Sequence, residues 1–251
     1  MISPKKKLLL LHSSNDLYGA SKIFLQLIDL LTKNGFDIHV IIPEKGMLDD
    51  FLIKKNIKIV YVELGVLRKK YLTPLGLINR AVANIKAIAF LSNYIKDHSI
   101  DLVYTNTSTI LCGGIAAKKN GVPSLFHIHE IPTGNKLYEF FSGKIINWYS
   151  SKVLTVSNSV KKHWLKYIHD KKIERIYNGI IFSKTDSLIK IERDQEDFVI
   201  TSVARLIPYK GHGYLIDVAN ELIKKSTKFK FLIVGDTLPS YVSYEKSVKQ
   251  K

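Results

Sequence analysis

The stretch that decides the fold is KLLLLHSSNDLYGASKIFLQLIDLLTKNGFDIHVIIP, residues 7–43. An apolar run at 7–12 leads into a helical pattern at 19–35, and a second apolar run follows at 37–43. Apolar residues three and four positions apart predict one buried helix face, and Gly35 marks the C-cap. The members of that face are Ile23, Phe24, Leu27, Ile28, Leu30 and Leu31. Because the flanking runs are apolar without alternation, they are typical of parallel strands buried on both faces.

The same alternation of apolar runs and helical patterns continues along the chain. Further strands are predicted at 57–64, 101–106, 123–129, 152–157 and 174–179. A polar, charged segment at 182–197 predicts an interdomain linker. After it the pattern restarts with a strand at 198–204, a helix at 212–226 and a strand at 229–236. We therefore predict an α/β protein with a complete doubly wound parallel sheet in residues 1–181 and a second domain in 198–251. Since one strand–helix–strand unit cannot cover a sheet, that second domain is expected to be incomplete.

Composition limits the classes of function. With 251 residues, 46% of them hydrophobic, the chain can bury a substantial core. Lys and Arg number 38 against 22 acidic residues, so the net charge of +16 favours phosphates, nucleic acid or an anionic membrane as partners. The single cysteine, Cys112, excludes an intramolecular disulfide, and no spaced metal-binding thiols are present, which fits a reducing cytoplasm. No stretch approaches the roughly 20 consecutive apolar residues that a membrane span requires.

Ligands of doubly wound sheets bind beyond the carboxyl ends of the strands, so the residues after each strand are candidate site residues. Gly19 and Ala20 open the first helix, where small side chains let a ligand approach backbone N–H groups at the positive end of the helix dipole. The alternative is a tight turn. The segment is not G-x-G-x-x-G, which counts against a dinucleotide-dependent dehydrogenase.

His127 and His129 lie at the carboxyl end of the predicted strand 123–129, and Glu130 follows it directly. Residues two apart share a face, so the histidines could form a metal pair, or one could bind a sugar hydroxyl or carbonyl. The alternative is two partly exposed histidines at a sheet edge. A third metal ligand with recognisable spacing is missing, which weakens the metal reading, and we expect no metal site.

Three later loops complete the candidates. In the first, Ser157 is a good N-cap, and capping alone explains it. In the second, Asn178 and Gly179 follow a strand as a pair that tolerates positive φ, for which a plain turn is the default. In the third, "VARLIPYKG" (203–211) carries two cations and a glycine, which are either solvated loop residues or fixed positive charges facing an anionic ligand.

Taken in order, these segments resemble family 4 glycosyltransferases of the GT-B fold. The resemblance extends over residues 7–236 and rests on "YGAS" (18–21), "HIHE" (127–130) after "GVPSLF", "VSNSV" (156–160), "IYNGI" (176–180), "VARLIPYKG" and "FLIVGD" (231–236). It implies two Rossmann-like domains with the donor in the cleft between them. It also implies a retaining transfer of a sugar from a nucleotide-sugar donor to a glycan or lipid-linked acceptor, with no cofactor besides that donor.

The resemblance also implies roles for individual residues. Arg205 and Lys210 neutralise the departing diphosphate in place of a metal, since no Asp-x-Asp pair occurs in the sequence. His129 approaches the transferred sugar, and we do not expect Glu130 to act as a base. The small and polar residues Gly19, Ala20, Asn178, Gly179 and Gly211 are the expected substrate-binding positions.

One departure from the family pattern concerns the second domain. The family carries a Glu-x7-Glu motif there, but neither Glu221 nor Glu245 has a glutamate eight positions on. We therefore hypothesise that the chain is a fragment with little transferase activity, or that a separate chain supplies the missing half.

The acceptor is inferred from charge. The segment 67–80 places Arg68, Lys69 and Lys70 beside apolar residues, which suits peripheral contact with an anionic bilayer; the alternative is a mobile basic loop over the cleft. A polyprenyl-diphosphate-linked acceptor in surface polysaccharide or lipopolysaccharide assembly would follow, with a cytoplasmic location, peripheral at the inner face of the membrane. Two rival functions are a non-catalytic binding partner or subunit of a split glycosyltransferase, and a nucleic-acid-binding protein. The second is not expected, because the lysines are dispersed and no recognised module is present.

Overall fold

The computed structural model describes residues 5–68, 71, 73–132, 136–180, 194, 196–237 and 239–251. Two compact units make up the chain, Met1–Ile181 and Phe182–Lys251, here called unit 1 and unit 2. Most of the predicted linker at 182–197 lies outside the described residues.

Unit 1 alternates strands and helices as the sequence predicts. In chain order its elements are β1 (Lys7–Leu11), α1 (Gly19–Lys33), β2 (Asp37–Ile42), α2 (Asp49–Lys54), β3 (Lys58–Tyr61), α3 (Pro74–His98), β4 (Leu102–Thr105), α4 (Cys112–Lys119), β5 (Ser124–Ile128), α5 (Lys136–Tyr149), β6 (Lys152–Thr155), α6 (Asn158–Trp164) and β7 (Ile173–Arg175). The strands form one parallel sheet in the order β3-β2-β1-β4-β5-β6-β7. The predicted doubly wound parallel sheet is confirmed.

The sheet is covered on both faces because the chain adds strands on both sides of β1, first β2 and β3 on one side and then β4 to β7 on the other. Helices α1 and α2 connect β1, β2 and β3, and they pack Phe24, Ile28 and Leu52 against the face that carries Leu8 and Leu10. Helices α3 to α6 connect the strands from β3 to β7, and they cover the opposite face. Right-handed crossovers in two directions require this arrangement.

Helix α1 confirms most of the predicted buried face. Phe24 and Ile28 are fully buried, the helix ends at Lys33, and Gly35 adopts the left-handed conformation (φ 84°). Leu30 is a correction, because 59% of it is exposed. Leu30 does not lie on the side of the helix that carries Phe24 and Ile28, because a helix of 3.6 residues per turn places position 30 on the solvent side.

Helix α3 spans 25 residues between β3 and β4. Thr73 caps it by accepting a hydrogen bond from the Gly76 N–H (3.1 Å), and Pro74 occupies the first turn. By length and composition this helix could cross a membrane. In its most apolar window, 22% of the residues are buried within the protein. Lys69, Lys70 and Leu72, which belong to the predicted membrane-contact segment, lie outside the described residues.

Unit 2 contains β8 (Phe198–Val203), α7 (His212–Lys225), β9 (Phe229–Val234) and α8 (Val242–Gln250). The two strands pair in parallel over six residues, as the sequence predicts. No residue of β8 or β9 is buried in the described part of this unit. Its buried apolar residues there are Leu206, Ile207, Ala219 and Val248.

Candidate functional site

A polar cavity of about 300 Å³ opens at the carboxyl ends of β1 and β4. These strands are neighbours from which the chain winds in opposite directions, which is the switch point where ligands of such sheets bind. Among the residues that line the cavity are His12, Asp16, Ala20, Arg68, Asn106 and Glu130. The wall is therefore made mainly by the loops that follow β1, β3, β4 and β5, together with the start of α1.

Asn106, the first residue after β4, organises this cavity. Its Nδ2 donates to Nδ1 of His12 (3.1 Å) and to the carbonyl of Ala20 (3.4 Å). Its Oδ1 accepts from Nε2 of His129 (2.9 Å) and from the hydroxyl of Tyr104 (3.1 Å). Because an amide oxygen only accepts and an amide nitrogen only donates, these bonds place the proton of His129 on Nε2 and leave Nδ1 of His12 unprotonated.

The hydrogen bonds continue from His12 to a carboxylate. With its proton on Nε2, His12 donates to the Ser21 hydroxyl (2.9 Å), which in turn donates to Oδ1 of Asp16 (2.8 Å). Burial lowers the pKa of His12 to about 4. Burial opposes ionisation of Asp16, but hydrogen bonds from the Tyr18 N–H and the Ser21 hydroxyl outweigh it and lower its pKa. At neutral pH a neutral imidazole and an ionised carboxylate therefore sit at the start of α1.

His127 and His129 share one face of β5, as predicted, with ring centroids 4.3 Å apart. The alternative of two partly exposed edge histidines does not hold for His127, which is 7% exposed in β5 between β4 and β6, whereas His129 is half-buried. Burial lowers the pKa of His127 to about 3, and it also lowers the pKa of His129 against the opposing effect of Glu130. Among the described residues, no three His, Cys, Asp or Glu side chains group as they would around a metal ion.

Glu130 holds the loop after β4 against the end of β5. Its Oε1 accepts from the N–H and the hydroxyl of Ser108 (both 2.7 Å) and from the hydroxyl of Thr107 (2.8 Å). Its Oε2 accepts from the N–H of His129 (3.1 Å). Through these four hydrogen bonds Glu130 braces the cavity wall.

The first helix begins where the sequence predicted. Gly19 is the first residue of α1, and Ala20 lies on the cavity wall. Tyr18, the N-cap, makes no side-chain bond to the helix, so the first N–H groups of α1 have no such cap. Arg68 adds a cation to the wall and donates to the carbonyl of Ser13 (3.1 Å).

The predicted pair Asn178 and Gly179 is exposed at the end of unit 1. β7 ends at Arg175, so the pair does not directly follow a strand. Neither residue has positive φ, so the conformational tolerance of the pair is not used. Their role in substrate binding stays a prediction.

In unit 2 the predicted cationic loop connects β8 to α7. Arg205 follows two residues after β8, and Lys210 ends a single 3₁₀ turn, Pro208–Lys210. Gly211 has φ 79° and is the N-cap of α7, which explains a glycine at that position. The N–H of Leu206 donates to the carbonyl of Asp236 (2.9 Å), which ties this loop to the residues after β9.

Sequence reasoning missed the residues that organise the cavity, namely His12, Asp16, Ser21, Arg68 and Asn106. A signal for two of them was available, because His12 and Asn106 directly follow strands that were correctly predicted. Arg68 was interpreted as a membrane contact, with a mobile basic loop over the cleft as the alternative, and the structure places it on the cavity wall.

Comparisons with known proteins agree with this architecture. The sequence model of Glycosyltransferase Family 4 matches residues 18–184. UDP-Gal:alpha-D-GlcNAc-diphosphoundecaprenol alpha-1,3-galactosyltransferase of Escherichia coli is 26% identical over 246 residues, covering 88% of this chain and 59% of that relative. The chain thus spans less than two thirds of its length.

Two solved structures show the same fold. HepE of Anabaena in complex with UDP and glucose superposes with a TM-score of 0.70 at 21% identity, covering 98% of this chain and 65% of HepE. A glycosyltransferase from Rickettsia africae superposes with a TM-score of 0.72 at 18% identity, covering 98% of this chain and 64% of that protein. The predicted GT-B architecture is confirmed.

Proposed function

The chain belongs to glycosyltransferase family 4, and from that premise we propose that it transfers a sugar from a nucleotide-sugar donor to a lipid-linked or glycan acceptor. The observation that carries the proposal is the cavity at the switch point between β1 and β4, where Asn106 after β4 is bonded to His12 after β1 and to Ala20 of α1. The Escherichia coli relative is named for a UDP-galactose donor and a diphosphoundecaprenol acceptor, and HepE was solved with UDP and glucose. Both names support a nucleotide-sugar donor here, and the first also supports a lipid-linked acceptor.

The cavity in unit 1 has the chemistry to bind a polyol. Asp16 offers an ionised acceptor, Arg68 a cation, and Thr107 a hydroxyl, all on one wall. Neutral His12 and the amide of Asn106 keep the inner wall uncharged. Sugar hydroxyls both donate and accept, so a wall that mixes donors and acceptors suits them. We assign His129 to the transferred sugar, through the imidazole whose Nε2 is held by Asn106.

In the proposed mechanism, unit 2 supplies the charge that a metal supplies in other glycosyltransferases. As the bond to the nucleotide breaks, negative charge grows on the diphosphate, and Arg205 and Lys210 neutralise it, the first as a planar fork and the second as a point charge. Transfer proceeds with retention at the anomeric carbon and without a divalent ion. Addition of a chelator should therefore leave the rate unchanged.

The test compares Arg205→Ala and Lys210→Ala with Lys225→Ala, an exposed cation at the end of α7. Transfer from UDP-sugars and binding of UDP are measured on the full chain. Each loop substitution should slow transfer by roughly 100- to 1,000-fold, which corresponds to about 2.7–4 kcal/mol of transition-state stabilisation. Lys225→Ala should change neither quantity. Equal effects of all three substitutions, or no binding of UDP, would contradict the proposal.

A second candidate is a subunit with little activity of its own, and the surface of unit 2 favours it. Phe198 and Val203 of β8 are 64% and 76% exposed, although strands of parallel sheets are normally covered. A second polypeptide with the Glu-x7-Glu motif would cover them and complete the donor site. Robust turnover by the purified 251-residue chain alone would exclude this candidate. Co-purification with such a polypeptide would support it.

A further inference from the structure

Two helices on one face of the unit 1 sheet expose apolar stripes to solvent. On α3 the stripe is made of Leu75, Ile78, Val82 and Ile85, which are 46–81% exposed. On α5 it is made of Leu137, Phe141 and Trp148, which are 56–67% exposed. Spacings of three, four, seven and eleven residues place each set along one side of its helix.

The two stripes belong to the same layer. Both helices connect strands on the second half of the winding, with α4 between them in the chain. α4 consists mainly of small, buried residues, and it packs against both α3 and α5. Its last two residues, Lys118 and Lys119, are exposed. Helices α3 and α5 therefore flank α4 on the same face of the sheet.

Exposed lysines lie beside both stripes. Lys86 on α3, Lys144 on α5 and Lys118 at the end of α4 are exposed beside the apolar residues. The Lys118 ammonium lies 4.5 Å from the centre of the Trp148 ring. The acidic residue of α5, Glu139, is turned inward, with its carboxylate 3.4 Å from both His163 and the Tyr167 hydroxyl.

We propose that one surface of unit 1, here called the α3–α5 surface, binds an anionic membrane peripherally. Its residues are Leu75, Ile78, Val82, Ile85, Lys86, Lys118, Leu137, Phe141, Lys144 and Trp148. Apolar and aromatic side chains with lysines at the rim are the chemistry that enters the headgroup region of anionic lipid. The inner face of α3 packs Ala87, Leu91 and Ile95 into the core, so this helix lies on the bilayer and does not cross it. The inference deepens the proposed function and rests on it only for the lipid-linked acceptor.

Vesicle binding tests the surface without any transfer reaction. The full chain is mixed with vesicles of phosphatidylcholine alone or of phosphatidylcholine with phosphatidylglycerol, and the bound fraction is measured by flotation. Binding should require phosphatidylglycerol. Two double variants remove apolar side chains, Ile78→Ser with Ile85→Ser on α3 and Leu137→Ser with Phe141→Ser on α5. Each should weaken binding by about tenfold or more, because apolar burial at the interface is lost.

Matched controls lie on the opposite face of the sheet. Leu30 and Ile53 are 59% and 60% exposed on α1 and α2, so Leu30→Ser with Ile53→Ser removes a similar apolar area. Lys86→Gln with Lys144→Gln should weaken binding by roughly fivefold per lysine, whereas Lys33→Gln with Lys54→Gln on α1 and α2 should change it little. All these side chains are exposed, so the core stays intact.

Fluorescence gives a second, local readout. Trp164 is fully buried and Trp148 is 67% exposed. Brominated lipid in the vesicles should quench Trp148, and Trp148→Phe should abolish that quenching while Trp164 emission remains. No binding to phosphatidylglycerol vesicles, equal binding of the test and control variants, or a dimer in solution that the same serine substitutions dissociate would overturn the proposal. Loss of transfer with vesicle binding intact would count against the proposed function alone.

Discussion

Two strands with similar apolar sequences have opposite environments in this protein. In β1 of unit 1, Leu9, Leu10 and Leu11 are fully buried between helices on both faces. In β8 of unit 2, Phe198 and Val203 are mostly exposed, and none of its residues is buried. The apolar pattern predicts a strand in both cases, whereas burial depends on the layers that cover it.

The difference indicates where the stability of the chain resides. Burial of apolar area provides about 25 cal/mol per Å², so the covered seven-stranded sheet contributes far more than the pair β8–β9. The proposed roles divide in the same way. The cavity around Asn106 is built on the well-packed unit, while Arg205 and Lys210 stand on the loop of the unit with little buried area.

The largest expected effect tests this contrast directly. Phe126 of β5 is fully buried, and Phe198 of β8 is 64% exposed. Phe126→Ala should lower the free energy of unfolding of unit 1 by about 3–5 kcal/mol, because it leaves a cavity in the core. Urea unfolding followed by tryptophan fluorescence measures this, since Trp148 and Trp164 both belong to unit 1.

The matched change Phe198→Ala should alter the stability of unit 2 by less than about 1 kcal/mol, because the ring is already largely solvated. Hydrogen exchange of the β8 and β9 amides reports on that unit. Comparable losses in the two units would show that β8 is covered in solution, and the contrast would fail.

A smaller effect concerns pH and His12. Its pKa is about 4 in the folded protein and 6.5 when unfolded, because burial penalises the charged imidazole. The unfolded chain therefore binds a proton that the folded chain does not as pH falls below 6.5. Above pH 6.5 the titration of His12 does not lower the free energy of unfolding. Between pH 6.5 and about pH 4 the free energy of unfolding falls progressively, by about 3 kcal/mol in total.

The substitution His12→Gln should reduce the slope of the free energy of unfolding against pH by the contribution of one proton. Unfolding of unit 1 by urea at a series of pH values from neutral to acidic measures the slope. A variant whose slope equals that of the wild-type protein would show that His12 is protonated in the folded state, and the direction of the hydrogen bonds through Asn106 would then be wrong.

Most of the fold could be predicted from the sequence because it depends on local patterns. The predicted strands and the helix at 212–226 appear within a few residues of their expected limits, since buried parallel strands are continuous apolar runs. Leu30 was misplaced because periodicity over a short helix tolerates one residue off the stripe. β7 ends earlier than expected, at Arg175, where the apolar pattern is weakest.

The candidate site could be predicted only in part, because its hydrogen bonds are non-local. Asn106 joins His12, Ala20 and His129, which are 94, 86 and 23 residues away in the chain. Strand order brings these residues together, and no spacing in the sequence encodes it. Gly19 and Ala20 were found because they form a local signal at a helix start.

The smallest effect uses two helical glycines. A methyl group at Gly143 of α5 would collide with Cβ of Tyr167, whereas one at Gly213 of α7 would meet no atom within 4 Å. Gly143→Ala should therefore destabilise unit 1 by about 1–3 kcal/mol through overpacking, against the usual helical preference for alanine. Gly213→Ala should stabilise unit 2 by about 0.4–1 kcal/mol, because it restricts the unfolded chain at no steric cost. Urea unfolding should show a loss of stability for Gly143→Ala. Hydrogen exchange should show a gain of stability for Gly213→Ala. A stabilising Gly143→Ala would mean that α5 packs less tightly on the segment after α6 than the contact with Tyr167 requires, and the contrast between a filled and an open unit would weaken.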